Sequence, residues 1–304
     1  MSDTAIDRPA AITTVQSSGG WLRDPWRKPR FLQAITWGYL LWSIVPVAIA
    51  VIFSFNSGRS RSTWQGFSMR WWYQDPFDSI WHDPTLRTAM FQTFKLSLVT
   101  VVLAVPFGTL FAIGIDRWRG RPAALSNFGM LFSFVVPEII LGVSLFLLVS
   151  TLLQSVIHLG TVAQIMGLVT FQLSYPFIIV RARLLSIGPE YEEAAMDLGA
   201  APNQALRRVL LPLLWPAILA SVALVFADTV DDFVIVRYLS GQSPTEPLSV
   251  KIYSAARASP TPAVNAAATV MLLSTFLAIS VGWLLYRRFT REESGADVGS
   301  FVQL

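Results

Sequence analysis

The 304-residue sequence contains no cysteine, which excludes disulfides, zinc–thiolate sites and cysteine nucleophiles. Its only histidines are His82 and His158, too few for a histidine-rich metal site. Charge is also scarce. Asp, Glu, Lys and Arg make up 14% of the chain, against about 25% in an average soluble domain. No glycine-rich phosphate loop followed by Lys-Ser or Lys-Thr occurs, so the chain does not itself hydrolyse ATP. Nor does a nucleophile–base pair or a metal-ligand constellation assemble, which argues against an integral membrane enzyme.

What is present is apolar, at 53% of residues, and the apolar residues come in long runs typical of a membrane protein. Six runs of membrane-spanning length fall at about 35–55, 89–115, 128–151, 162–180, 212–236 and 264–286. The first is too long for a signal-peptide core and lacks a cleavage site, so it reads as a retained span. Residues 1–30 form a small, polar tail expected to be mobile, residues 31–288 a six-span domain, and residues 289–304 a polar C-terminal tail. The fold class expected is an all-α integral membrane protein.

A pI near 9.6 could point to nucleic acid, but the arginines fall in short clusters beside apolar runs. Arg23, Arg27, Lys28 and Arg30 precede the first span, and Arg117, Arg119 and Arg121 fill the second-to-third loop. Arg181, Arg183, Arg207 and Arg208 flank the fourth-to-fifth loop, and Arg287, Arg288 and Arg291 follow the sixth span. The third-to-fourth loop has none. The positive-inside rule therefore predicts both termini and the fourth-to-fifth loop in the cytoplasm, with lipid and not nucleic acid as the surrounding partner.

That loop, Glu190–Pro212, is a proline-bracketed polar island. Pro189 is pre-set for a helix start, with Glu190, Glu192 and Glu193 at its positive end. Gly199 can end the helix, Pro202 can open a second short one, and Pro212 the next apolar one. Small residues at Ala194, Ala195 and Ala200 suit a projection that another protein clasps. A soluble helix-turn-helix has similar spacing, but the flanking spans speak against it. The pattern Glu193-Ala194-Ala195, Gly199, Val209 and Leu211-Pro212 resembles the EAA loop of type I ABC importer permeases (the MetI-like fold), departing only at Val209, where isoleucine is usual. The resemblance implies that this loop, with Asp197 among its contacts, seats in a cleft of a separate ATPase subunit.

Four carboxylates fall within the apolar runs. Glu138 lies about ten residues into the third span, near the bilayer midplane. Asp228, Asp231 and Asp232 lie in the outer half of the fifth, spaced to share one helical face. Intramembrane carboxylates cost kilocalories each unless they face a cavity or a partner, and neither span has an interior Lys or Arg. An acidic site for a cationic ligand is expected, although Asp232 could equally cap a helix. Pro137 suits a cavity wall or an ordinary kink. The first loop is rich in aromatics, including Trp64, Trp71, Trp72, Tyr73 and Trp81. It reads either as an interfacial belt or as the wall of a vestibule in which Trp71, Trp72 and Tyr73 face a cation.

Several segments narrow the resemblance to the polyamine (spermidine/putrescine) branch, C-type subunit: Phe53-Ser54-Phe55-Asn56-Ser57, Trp64-Gln65-Gly66-Phe67, Pro137-Glu138-Ile139, Asp231-Asp232 and Leu248–Ser254 with Pro262-x-Val264-Asn265-Ala266. Glu138 stands where that branch usually has aspartate. The resemblance implies polyamine handling by Glu138 and Asp231. It also implies a homologous permease subunit, two ATPase subunits and an extracytoplasmic binding protein as partners, with no cofactor beyond the ATP used by the ATPases. Opine or other amine importers share the scaffold. An ion-coupled secondary transporter would use the same carboxylates but would leave Glu190–Pro212 unexplained.

Overall fold

The computed structural model describes residues 30–60, 63–117, 120–241, 243–258 and 261–295. The N-terminal tail with Arg23, Arg27 and Lys28 of its basic cluster, Arg119 and the end of the C-terminal tail lie outside the described residues. The chain divides into two units, Met1–Ala48 and Ile49–Leu304. The first contains most of α1 (Arg30–Phe53), a helix apolar on every side whose residues 31–47 are all exposed. A helix of that kind needs lipid or another chain around it.

In the second unit the longest internal helix is α2 (Pro84–Arg117). Asp83 starts it. Its Oδ1 accepts the Thr85 backbone N–H at 2.7 Å, and Pro84 occupies the first helical position, where no N–H is missed. α2 packs against α6 (Ser174–Ile187) and α9 (Leu211–Asp231), and α9 packs in turn against α12 (Pro262–Gly295). Small residues allow the close crossings. A Cβ on Gly108 of α2 would fall 2.5 Å from Pro176 Cγ and 2.9 Å from the Leu173 carbonyl oxygen.

Among the described residues five helical runs are long and apolar enough to cross a membrane, and a bent pair makes a sixth if it is taken as one span. That pair replaces the expected single third span, in which Pro137 suits a cavity wall or an ordinary kink. α3 (Arg121–Val135) and α4 (Glu138–Leu147, continued by a π-turn over Leu148–Leu152) meet at a bend of 101°. Pro137 is the cause. It holds Val136 at φ −60°, ψ 128°, outside the helical region, and itself sits at ψ 127°. Glu138 is thus the first residue of a new helix rather than the middle of an old one.

The fourth run joins α5 (Thr161–Gln172) to α6 and extends to Ile187, seven residues past the expected end. Arg181 and Arg183 are therefore helical. Arg181 donates to Asn127 of α3, and Arg183 Nε to the Leu213 carbonyl at 3.3 Å. Between α6 and α9 lie α7 (Glu190–Asp197) and the single turn α8 (Pro202–Ala205). Pro212 sits in the first turn of α9, as expected from sequence, but α9 does not stand apart from α8. α8 runs through a π-turn (Leu206–Leu210) into α9 as one 30-residue run, Pro202–Asp231. The wider π-turn accommodates the proline, whose ring would otherwise press on the carbonyl four residues back.

The fifth run stops at Asp231, before the expected Val236. After two non-helical residues, α10 (Val234–Leu239) begins, followed by a 3₁₀ turn and α11 (Leu248–Ala258). This connection, polar and punctuated by Pro, Gly and Ser, nevertheless contributes to the core. Leu248 and Val250 are buried, and the Leu248 N–H donates to Thr93 Oγ1 of α2 at 2.8 Å. Gln164 of α5 ties the same layer together. Its Oε1 accepts from Gln92 Nε2 at 2.8 Å, and its own Nε2 donates to Ser240 Oγ and the Thr245 carbonyl, each at 2.9 Å.

The crossing geometry makes Gly108→Leu a destabilising substitution, since overpacking costs about 1–3 kcal/mol and here presses on a backbone carbonyl and a rigid ring. The thermal midpoint of purified protein should fall by several degrees. Gly114→Leu, on the same helix with nothing within 4 Å of its Cβ position, should leave the midpoint near wild type.

Candidate functional site

Two helix breaks face each other. α4 packs against α10, so the N-terminus of α4 after Pro137 lies beside the gap between α9 and α10. The Glu138 carboxyl comes within hydrogen-bonding reach of Asp232. Asp232 has φ −54° and ψ 126°, which turns its side chain into the protein. There its Oδ1 accepts the Val236 N–H at 3.1 Å, capping α10, while its backbone carbonyl accepts from Ser249 Oγ at 2.6 Å. Ionised carboxylates are hydrogen-bond acceptors only, so two of them side by side cannot satisfy each other.

The shared-face expectation for Asp228, Asp231 and Asp232 requires correction, because the helix ends before Asp232. Asp231 closes α9 and is exposed, whereas Asp232 is the buried one. Asp228, one turn back, is half-buried, and its Oδ2 accepts from Gln172 Nε2 at 2.7 Å. Tyr175 of α6 lies within the electrostatic reach of Glu138, Asp228 and Asp232. None of the ion pairs among the described residues involves any of the four carboxylates.

Gln172, Ser174, Tyr175 and Ser249 were not singled out from sequence. Gln172 Oε1 and Ser174 Oγ are buried without a hydrogen-bond partner, which marks this stretch as polar and unfinished. The available signal was Pro176, which cannot donate to the Gln172 carbonyl four residues before it.

The aromatic loop is a small folded unit. Asn56 pairs with Phe67 in an antiparallel bridge, and its side chain holds the turn through the Ser60 and Thr63 carbonyls and the Gln65 N–H. Trp71 is 0% exposed and donates Nε1 to the Asn56 carbonyl at 2.6 Å. Contrary to the vestibule expectation, Trp71 is a core residue that supports the loop. Trp72 stacks on Phe55 at 5.2 Å and is half-buried. Tyr73, 57% exposed, is the member of the trio with a free face. Asp75 locks the following turn by accepting the N–H groups of Asp78 and Phe77, each at 3.0 Å, and Arg70 Nε at 2.8 Å. Those backbone donors, then the guanidinium, hold its pKa at about 2, below the ordinary 3.8.

At the opposite end of α2, α7 carries no buried residue. Glu193, Ala194 and Asp197 are exposed, Ala195 is half-buried, and Leu198 is 90% exposed. Gly199, at φ +90°, ends the helix. The Ala200 N–H reaches back to the Ala195 carbonyl at 3.0 Å, and the left-handed conformation favours glycine there. Glu192 is held by Arg117, the last residue of α2. Leu211 is half-buried and Pro212 exposed, both within the Pro202–Asp231 run. A helix that buries nothing of its own presents its side chains to something else.

Residues 104–293 match the model of the family described as binding-protein-dependent transport system inner membrane component. The putrescine transport system permease protein PotI of Escherichia coli K12 is 29% identical over 276 residues, covering 89% of this chain and 94% of the relative. The spermidine/putrescine transport system permease protein PotC of the same strain is 32% identical over 252 residues, covering 83% and 92%. PotC of Haemophilus influenzae is 33% identical over 245 residues, covering 80% and 91%. Among solved structures, a bacterial ABC transporter that imports alginate aligns with a TM-score of 0.67 at 15% identity, over 85% of this chain and 96% of that one. The MetNI methionine ABC transporter aligns at 0.55 and 19%, over 67% and 93%. At those identities the structures speak for the fold.

Asp75 generates a pH prediction. A depressed folded-state pKa contributes stability that is present above the unfolded value near 4 and is lost as pH falls toward 2. Pepsin cleavage within residues 70–80 should therefore rise steeply between pH 4 and pH 2 in the wild type. Asp75→Asn should be cleaved readily at pH 4 already. Equal cleavage of both proteins at pH 4 would contradict the assignment.

Proposed function

The chain belongs to the family of binding-protein-dependent transport system inner membrane components and is an ABC importer permease subunit; from that premise we propose that its cargo is a small cationic amine of the polyamine class. The single observation that carries the cargo reading is the set of four carboxylates, Glu138, Asp228, Asp231 and Asp232. They gather at two facing helix breaks with no ion-pair partner among the described residues. Buried or half-buried like charges repel unless a cation joins them, and a polyamine supplies two or more ammonium groups that can each be shared by carboxylates. Relatives named for putrescine and spermidine transport support the same class.

The partners proposed are a homologous permease subunit, two ATPase subunits and an extracytoplasmic binding protein. Both termini and α7 face the cytoplasm in this reading, as the arginine clusters require. The exposed α7 seats on an ATPase subunit, which hydrolyses the ATP. The Pro202–Asp231 run begins beside that helix and ends at Asp231, so it can carry a displacement of the loop to the carboxylates. Arg117 links Glu192 of α7 to α2, giving the loop a second attachment to the membrane helices. Closure of the ATPase pair opens the cleft outward to receive the amine, and release opens it inward.

The test is a reconstituted transporter with its ATPase and binding-protein partners, assayed for putrescine and spermidine uptake and for amine-stimulated ATP hydrolysis. Glu138→Gln, Asp231→Asn and Asp232→Asn should each lower uptake at least tenfold while the complex still assembles. Uptake at wild-type level in all three would remove the acidic-site reading. Uptake that persists without the ATPase subunits would indicate an ion-coupled transporter instead.

A further inference from the structure

Away from the carboxylates, at the end of α2 opposite Arg117, the structure contains a cavity of about 220 Å³. Its floor and walls are Trp72, Ile80, Trp81, Met90, Phe91, Phe94 and Val270, and its one charged lining residue is Arg87. On α2 the residues Arg87, Met90, Phe91 and Phe94 recur at i, i+3, i+4 and i+7, so they form one stripe along the helix. The stripe has a polarity. Arg87 stands at its head, in the first turn of α2 and just before the apolar stretch, and Phe94 lies about 10 Å further along.

That order is the order of a phospholipid: a charged headgroup layer, then hydrocarbon. Arg87 is exposed, and no ion pair among the described residues takes its guanidinium. The nearest acid on its own helix face, Asp83, is occupied in capping, accepting from both the backbone and the hydroxyl of Thr85. Trp81, which lines the same cavity as Arg87, is the kind of amphipathic ring that sits at the membrane–water interface. Val270 of α12 and Trp72 and Ile80 of the folded aromatic loop complete the lining. Each methylene taken into such a slot contributes about 0.8 kcal/mol relative to water, but against bulk lipid the gain comes from fit, so selectivity falls to the phosphate on Arg87.

We propose that this cavity is a phospholipid site, with one acyl chain along Met90, Phe91 and Phe94 and the phosphate held by Arg87. The site is independent of the amine-binding carboxylates and joins the loop, α2 and α12 through a shared lipid.

The experiment uses the assembled transporter in vesicles of mixed phosphatidylethanolamine and phosphatidylglycerol, with a benzophenone photocrosslinker placed at Phe91. Irradiation should give a phospholipid-sized mass adduct on the peptide containing position 91. Arg87→Gln in the same background should reduce that adduct at least threefold. Val270→Phe, which narrows the slot without touching the charge, should reduce it as well. An adduct of undiminished yield in both variants would mean bulk lipid contact only and would overturn the proposal. Crosslinking to a protein chain instead of lipid would overturn it too, by identifying a helix as the occupant. All three readouts are independent of transport, so they stand or fall separately from the cargo assignment.

Discussion

Pro137 cannot donate a backbone hydrogen bond, and it forces the residue before it out of the helical region. In an apolar solvent a broken backbone is tolerated only where protein or water covers it, so this proline obliges the chain to build something around the break. The 101° bend between α3 and α4, the start of α4 at the half-buried Glu138 and the facing gap at Asp232 are consistent with that obligation. The rest of the core is arranged to hold the two breaks together. α2, α6 and α9 supply a packed frame in which Gly108 lets α2 approach α6 closely, and the Gln164 network fixes α5 to α10 and the connection beyond it.

Much of this was legible in the residues. Run lengths were enough for the number of spans, because apolar runs of about twenty residues have few other uses. The aligned prolines, acidic first turn and terminal glycine of α7 were read correctly, since each acts locally. What was not legible depended on tertiary partners. Pro137 could have been a mild kink, and only the packing of α4 on α10 makes it a corner. Asp231 and Asp232 are chemically identical neighbours, and the sequence did not say which of them is buried. The capping alternative read for Asp232 is the geometry observed, but where the helix ends was hidden because Phe233–Val236 continues the apolar run. Trp71 looked like its neighbours Trp72 and Tyr73 until the turn at Asn56 was seen to claim its indole.

The two ends of the molecule are joined mechanically as well as by sequence. The run from Pro202 to Asp231 starts within the loop proposed to meet the ATPase and finishes at the acidic break, and the π-turn inside it absorbs a proline without stopping the helix. The helix α7 buries nothing of its own, and the four carboxylates have no ion-pair partner among the described residues. In the proposed alternating-access reading these two places communicate, and α9 and α2 are the helices that attach to the loop.

The central claim is that the paired breaks create a carboxylate site that a polyvalent amine completes. Its most direct test is the thermal midpoint of the purified, assembled transporter with and without spermidine, since a ligand that binds the folded state raises the midpoint in proportion to its occupancy. The account predicts a rise with spermidine in the wild type and none in the Glu138→Gln, Asp232→Asn double variant. An equal rise in both proteins, or none in the wild type, would contradict it.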